Sequence, residues 1–201
     1  MNFLGVDTSG DYLTVIACKK DKSVVRYQKN CTRSHSVRLM EEIDGVLSAL
    51  QMKPIECDFF AVVTGPGSFT GIRIGISTIK GLCLATGKPA LAVTSFDALA
   101  YAERDEKLLP VIDAGHGYTY LAGYDNRTVT IPPQYCSNEQ AAQYVKTGYR
   151  RIDCNGVDPA KGFLEAVRAK YQEAGEAGGL AALYLRKSSA EENVSKKESL
   201  Q

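Results

Sequence analysis

The chain repeats one order of predicted strands and helices, and this repeat constrains its fold more than any other feature. Three short strand-like segments cover residues 3–7, 12–18 and 23–29, and their close spacing predicts an antiparallel meander. An amphipathic helix, a buried strand and a second helix follow, and then comes a further strand over residues 90–93 with its own helix. From residue 108 onward, three strands, a helix, a strand and a helix are predicted again.

Asp7 and Asp113 fall at the same point of the two halves, just after the first strand of each. A β-β-β-α-β-α unit used twice predicts an α/β protein with the duplicated ribonuclease-H-like arrangement of actin-like ATPases and sugar kinases, its second half shortened. We therefore expect an N-terminal subdomain over residues 1–105 and a shortened C-terminal subdomain over residues 106–186. The polar, aperiodic residues 187–201 predict a flexible tail.

Apolar stripes place the helices, and capping residues and prolines limit them. Ser34 or Ser36 can cap the first helix, Pro54 blocks its continuation, and Ser95 can cap the third. The predicted helices cover residues 36–50, 72–85, 96–104, 138–146 and 159–173, and the later strands cover residues 58–64, 108–113, 119–124, 128–131 and 151–154.

Composition excludes several classes of function. The 201 residues carry 24 Lys and Arg against 23 Asp and Glu, so a net charge of +1 gives no general attraction to nucleic acid or membranes. No apolar run approaches the roughly 18 residues of a membrane span, and Asp7 follows the N-terminus too soon for a signal peptide. We expect a cytoplasmic protein with no membrane partner.

Cysteine and histidine usage argues against a metal site. The six cysteines form no C-x-x-C pair, which indicates reduced and mostly buried thiols. The two histidines, His35 and His116, lie far apart, so no histidine-rich zinc or iron motif can be written. We expect neither a metal nor a cofactor.

The segment Gly65–Gly71, G-P-G-S-F-T-G, joins a strand to a helix. Glycines before a helix N-terminus can bind phosphate, but this segment lacks Gly-Lys-Ser/Thr, and its glycine spacing is one residue longer than in the dinucleotide fingerprint. The alternative is a tight turn that fixes the start of the helix, which is the commoner use of such glycines.

The helix over residues 72–85 has apolar side chains almost all round, although only one face can pack on its own sheet. Small residues lie along two of its ridges and would let a second helix approach closely. Other helices of the same subdomain could cover this side, but the need to bury so many apolar side chains favours a partner protein. Gly75→Leu or Gly81→Leu should then leave the monomer folded and abolish partner binding. The predicted interface residues are Leu39, Ile43, Gly71, Ile72, Gly75, Ile76, Thr78, Ile79, Gly81 and Leu82.

Two hairpin turns form the other candidate site. Asp7, Thr8 and Ser9 in one half, and Asp113 and Gly115 in the other, could face each other as vestigial phosphate turns across a cleft. The alternative is a pair of ordinary polar turns. An ATP-binding or ATP-hydrolysing protein would use the two aspartates, although the short second half leaves little room for an adenosine pocket.

Five segments together resemble the bacterial TsaB (YeaZ) family, and the likeness runs from residue 2 to about residue 186. The block G-P-G-S-F-T-G-I-R-I-G at residues 65–75 is highly specific, while the other matches are weak alone. One departure is that Gly115-His116 follows Asp113-Ala114 where family members commonly have arginine. The other matching segments are L-G-V-D-T-S at residues 4–9, His35-Ser36, Lys80-Gly81-Leu82 and Tyr184-Leu185-Arg186.

The resemblance implies an actin-like fold without a working catalytic site. It also implies a helix-to-helix heterodimer with TsaD, the metal-carrying paralogue that transfers a threonylcarbamoyl group to adenosine 37 of tRNAs reading codons that begin with A. A TsaE ATPase joins that assembly, the chain alone forms a homodimer through the same helices, and tRNA is reached only through the complex. A metalloprotease, suggested by an older glycoprotease-like label of the family, has no ligand cluster here.

Overall fold

The computed structural model describes residues 1–31, 34–104, 106–175 and 179–186, and the predicted tail at residues 187–201 lies outside them. These residues form two β-sheets with helices packed on and between them. The strands are β1 (Asn2–Asp7), β2 (Tyr12–Lys19), β3 (Lys22–Lys29), β4 (Phe59–Val63), β5 (Ala90–Val93), β6 (Lys107–Gly115), β7 (Tyr118–Asp125), β8 (Thr128–Ser137) and β9 (Arg150–Ile152), and the α-helices are α1 (His35–Ala49), α2 (Phe69–Thr86), α3 (Ser95–Ala100), α4 (Asn138–Lys146) and α5 (Pro159–Lys170).

Within the described residues, the four strands of the second sheet repeat the topology of four strands of the first. The first has the order β3-β2-β1-β4-β5, with β1, β2 and β3 antiparallel and β4 and β5 parallel to β1. The second has the order β8-β7-β6-β9, with β9 parallel to β6. The predicted duplicated α/β fold is therefore confirmed, and the second half is shorter by one strand.

Helices α1 and α2 cover one face of the first sheet. Leu39 and Ile43 of α1 and Ile72 of α2 are buried in one cluster with Leu4 and Leu13 of the sheet. The spacing of these apolar residues places one helical stripe on the sheet and leaves the opposite stripe outside.

Helices α3 and α5 lie between the two sheets and join the halves. Phe163 of α5 is buried with Phe3 of the first sheet and Tyr124 of the second. Gly162 lets α5 touch α3, because a Cβ there would lie 1.9 Å from the Ala98 carbonyl oxygen. This core is common to both halves, and the predicted boundary at residue 105 stays a prediction.

Several predicted boundaries were wrong. Helix α2 begins at Phe69 rather than at residue 72, because the Ser68 hydroxyl accepts the Gly71 N–H at 3.2 Å and caps the helix. Helix α3 ends at Ala100, and Thr94 rather than Ser95 caps it. Strand β8 extends six residues beyond its predicted end through two prolines, which an edge strand accommodates.

Candidate functional site

A cavity of about 390 Å³ lies between the two halves, where the predicted cleft was expected. The turn after β1 and residues 66–68 before α2 form one wall, and the end of β6 and residues 151–155 form the other. Ser95 and Leu99 of α3 complete the lining. The structure thus brings the two predicted hairpin turns to one place.

The two aspartates of these turns each close their own turn. The Ser9 N–H and hydroxyl donate to Asp7 Oδ1 at 2.8 and 2.6 Å, and the Gly115 N–H donates to Asp113 Oδ1 at 2.9 Å. An aspartate that accepts the N–H two residues later is the usual chemistry of a polar turn. Both aspartates therefore close polar turns, as the turn interpretation expects, and the phosphate-turn interpretation stays a prediction.

Asp7 differs from Asp113 in being fully buried. Burial raises the pKa of its carboxyl, and the hydrogen bonds from the Ser9 side chain and N–H lower it only in part. Asp7 Oδ2 and Thr14 Oγ1, which belong to residues paired across β1 and β2, have no hydrogen-bond partner within the described part of the chain. Asp7 is linked to the cavity wall through Ser9, whose hydroxyl accepts a hydrogen bond from Ser95 at 3.1 Å.

The glycines of the segment 65–71 let the start of α2 lie against the first hairpin turn. A Cβ on Gly67 would be 2.2 Å from the Ser9 carbonyl oxygen, and a Cβ on Gly71 would be 2.0 Å from that of Thr8. The Ser68 N–H donates to the Ser9 carbonyl at 2.7 Å, and the Thr8 hydroxyl donates to the Gly71 carbonyl at 2.7 Å. These contacts support the tight turn that fixes the helix start.

Seven of the ten predicted interface residues lie in the monomer's own core, which corrects the expectation that they face a partner. Gly75 is one of them: its Cβ would lie 2.7 Å from Thr8 Oγ1, so Leu at this buried position would clash with the chain's own core, contrary to the expectation that Gly75→Leu leaves the monomer folded. Gly81 is open, because a Cβ added there would meet nothing within 4 Å, and Thr78 and Leu82 are half-buried. The buried seven are Leu39, Ile43, Gly71, Ile72, Gly75, Ile76 and Ile79.

The outward stripe of the same helix pair is apolar and contains small residues. Leu84 is 89% exposed and Val37 is 77% exposed, although both are large apolar side chains on regular helices. Sequence reasoning missed both, although the helical period that buries Ile72, Ile76 and Ile79 places Leu84 outside. We define the outer α1–α2 face as Val37, Met40, Ile74, Ser77, Gly81 and Leu84, all of which are exposed or half-buried.

An aromatic cluster holds the C-terminal segment against the start of α2. The Arg73 guanidinium carbon lies 3.7 Å from the centroid of the Phe69 ring, and Arg73 Nε donates to the Tyr184 hydroxyl at 3.0 Å. The two rings are 5.0 Å apart and both are partly exposed. This cluster uses one of the two cations of α2.

The described residues include no group of three or more His, Cys, Asp or Glu side chains placed to hold a metal ion. The His35 ring contacts the Tyr12 carbonyl oxygen at 2.9 Å in the core, while His116 lies exposed in the second hairpin. Burial raises the pKa of the Cys57 thiol to about 12, and of the six cysteines only Cys154 is exposed. Within the described ranges no helix has the length and apolarity that a membrane crossing needs.

Comparisons with known proteins identify relatives of this chain. A family model described as TsaD, tRNA N6-adenosine threonylcarbamoyltransferase, matches residues 27–156. The tRNA threonylcarbamoyladenosine biosynthesis protein TsaB of Bacillus subtilis (strain 168) is 29% identical over 221 residues, which cover 95% of this chain and 96% of the relative. The Escherichia coli (strain K12) protein of that name is 30% identical over 128 residues, which cover 62% of this chain and 55% of the relative. A solved structure of YeaZ from Pseudomonas aeruginosa has the same fold, with a TM-score of 0.78 at 22% identity over 92% of this chain and 99% of that one.

Proposed function

The chain belongs to the family that the TsaD model describes and, within it, to the TsaB (YeaZ) group, and from this premise we propose that it is a non-catalytic subunit that binds a TsaD-like paralogue. It serves tRNA threonylcarbamoyladenosine biosynthesis in the cytoplasm. The paralogue performs the transfer to adenosine 37 of tRNAs reading codons that begin with A, and a TsaE-like ATPase joins the complex.

The outer α1–α2 face is the observation that carries this proposal. Leu84 of α2 and Val37 of α1 are large apolar side chains that are strongly exposed, and exposed apolar surface on a folded protein marks protein interfaces. Ser77 and Gly81 lie between the larger side chains of α2 and have little bulk themselves, so the axis of a facing helix can approach closely. A paralogue with the same fold offers an equivalent helix pair, and a second copy of this chain offers the same surface when the paralogue is absent.

The geometry of the cleft supports a subunit without catalysis of its own. Asp7 is buried and accepts from Ser9, and Asp113 accepts the Gly115 N–H, so each aspartate already serves its own turn. The Ser68 N–H at the start of α2 donates to the Ser9 carbonyl rather than to a phosphate. The alternative is an ATP-binding protein that uses these aspartates.

Size-exclusion chromatography with light scattering tests the proposal directly. We expect the chain alone to elute as a homodimer and the mixture with its cognate TsaD-like subunit to elute at the mass of a heterodimer. Two non-interacting species in the mixture would contradict the proposed role. Calorimetry of the isolated chain with Mg-ATP addresses the alternative, for which the proposal expects no heat of tight binding.

A further inference from the structure

Three tyrosine rings of the second sheet pack against one another in a row. The rings of Tyr118 and Tyr135 are stacked, 4.9 Å apart and 12° from parallel, and the Tyr120 ring lies 5.5 Å from that of Tyr135 and is tilted by 45°. Tyr120 pairs with Tyr135 across β7 and β8 and with Ile112 across β6 and β7. Because Ile112 lines the cavity and paired residues share a face of the sheet, Tyr120 lies on the cavity's side of the sheet, and we call the three rings the tyrosine stack.

Tyr118 is the end of this stack and is 42% exposed. One face of its ring lies against Tyr135, and its position at the start of β7 holds the ring in place at little entropic cost. The Arg186 guanidinium lies 5.7 Å from the centroid of the Tyr135 ring, and the exposed His116 precedes the strand. The surface is thus a rigid aromatic platform with a cation beside it.

This arrangement matches the chemistry by which proteins take up unpaired nucleobases. Bases stack on tyrosine rings and on arginine planes, while double-stranded RNA keeps its bases stacked within the helix and offers no free face. The charges around the platform are mixed, because Arg151 lies in the cavity wall with Asp113 and Asp153. Attraction to phosphate is therefore weak, and stacking supplies most of the binding energy.

We propose that the tyrosine stack binds an unpaired base of RNA, which stacks on the outer ring face of Tyr118. This inference rests on the proposed function, because that role brings an RNA with unpaired loop bases to the complex. It revises one expectation drawn from the resemblance, since this chain then contacts the RNA itself rather than only through its partner.

The chain contains no tryptophan, so Tyr118→Trp places a single indole fluorophore at the end of the stack. We expect an RNA hairpin with unpaired loop bases to quench this fluorescence and a fully paired RNA duplex of the same composition to leave it unchanged. Because phosphate contacts are few, the affinity for the hairpin should fall only weakly as salt is raised.

Substitutions at Tyr118 then measure the contribution of the ring. Tyr118→Ala should weaken hairpin binding roughly 5- to 150-fold, the range for loss of one base stack, while Tyr118→Phe keeps the affinity within about twofold. Tyr171→Ala is the matched control, because Tyr171 is also 42% exposed but lies just after α5, away from the stack. Equal melting temperatures of the variants show that each one is folded.

Absence of quenching, equal binding of the duplex, or equal losses from Tyr118→Ala and Tyr171→Ala would each overturn the proposal. A fluorescence change on adding the TsaD-like subunit without RNA would also overturn it, in favour of a protein contact. Light scattering of the wild-type chain with that subunit separates the two proposals. Normal heterodimer formation without an RNA response refutes only the role of the stack, whereas loss of the heterodimer refutes the proposed function.

Discussion

The same substitution at two glycines of α2 should change stability in opposite directions. A methyl group on Gly71 would lie 2.0 Å from the Thr8 carbonyl oxygen, a backbone atom that cannot rotate away. It would also disturb the hydrogen bond that the Thr8 hydroxyl donates to the Gly71 carbonyl. A methyl group on Gly81, further along the helix, would meet nothing within 4 Å.

The expected magnitudes follow from these contacts. Overpacking lowers the free energy of unfolding by about 1–3 kcal/mol, and a weakened hydrogen bond lowers it by about 1 kcal/mol. Alanine in place of a glycine within a helix raises it by about 0.5–1 kcal/mol. Gly71→Ala should therefore lower the free energy of unfolding by about 2 kcal/mol, and Gly81→Ala should raise it by about 0.5–1 kcal/mol. For a chain of this length the melting temperature should fall by about 4–8 °C in the first variant and rise by about 1–4 °C in the second.

Thermal unfolding followed by circular dichroism, at a protein concentration low enough to keep every chain monomeric, measures both changes, and chemical denaturation with equal m-values checks that the two-state treatment holds. A Gly71→Ala protein as stable as the wild type would refute the conclusion that this glycine is required by contact with the first hairpin turn. A Gly81→Ala protein destabilised in the isolated monomer would refute the conclusion that this position faces outward.

Three further substitutions test the interior. Gly162→Ala should destabilise the protein by about 2 kcal/mol in urea unfolding, because its methyl group would lie 1.9 Å from the Ala98 carbonyl oxygen. Burial raises the pKa of Asp7, so the folded protein becomes less stable relative to the unfolded chain as pH rises above the unfolded-state pKa near 3.8. The melting temperature of Asp7→Asn relative to that of the wild type should therefore rise as pH increases from 4 to neutral. A difference that does not change with pH would contradict this. Burial lowers the pKa of Lys170, but its ion pair with buried Asp97, at 3.1 Å, more than offsets this, so the pKa is raised. Lys170→Met should therefore lower the free energy of unfolding by about 1–3 kcal/mol at neutral pH. The difference from the wild type should shrink only at strongly alkaline pH, where the wild-type lysine loses its proton.

The sequence predicted the fold well because the repeat is visible in short-range patterns. Strand alternation, helical stripes and turn residues act over a few neighbours, and Asp7 and Asp113 mark the same point in both halves. The predicted ends of helices and strands were wrong where a single contact or the position of a strand in its sheet determines them. The Ser68 cap extends α2 into the glycine segment, and the edge position of β8 permits prolines that a central strand would exclude.

The candidate site could be predicted only in part, because a helix with apolar residues all round does not reveal which side faces the sheet. Ile74, Leu82 and Leu84 lie outward or at the margin and hide the amphipathic pattern that Ile72 and Ile79 would otherwise give. Small residues are equally ambiguous, because a glycine permits close approach by the chain's own backbone as readily as by a partner. The tyrosine stack depends on the register of β7 and β8, which only the structure supplies.

The most direct test of the account is the affinity of this chain for its cognate TsaD-like subunit, measured by titration calorimetry with two leucine variants. Gly81→Leu adds bulk to the outer α1–α2 face, where the monomer has open space, and Ala169→Leu adds the same side chain to the exposed side of α5. We expect Gly81→Leu to weaken binding by roughly tenfold or more while its monomer, studied at low concentration, keeps the melting temperature of the wild-type monomer, and we expect Ala169→Leu to bind as the wild type does. Unchanged affinity of a folded Gly81→Leu protein would contradict the assignment of this face as the partner interface.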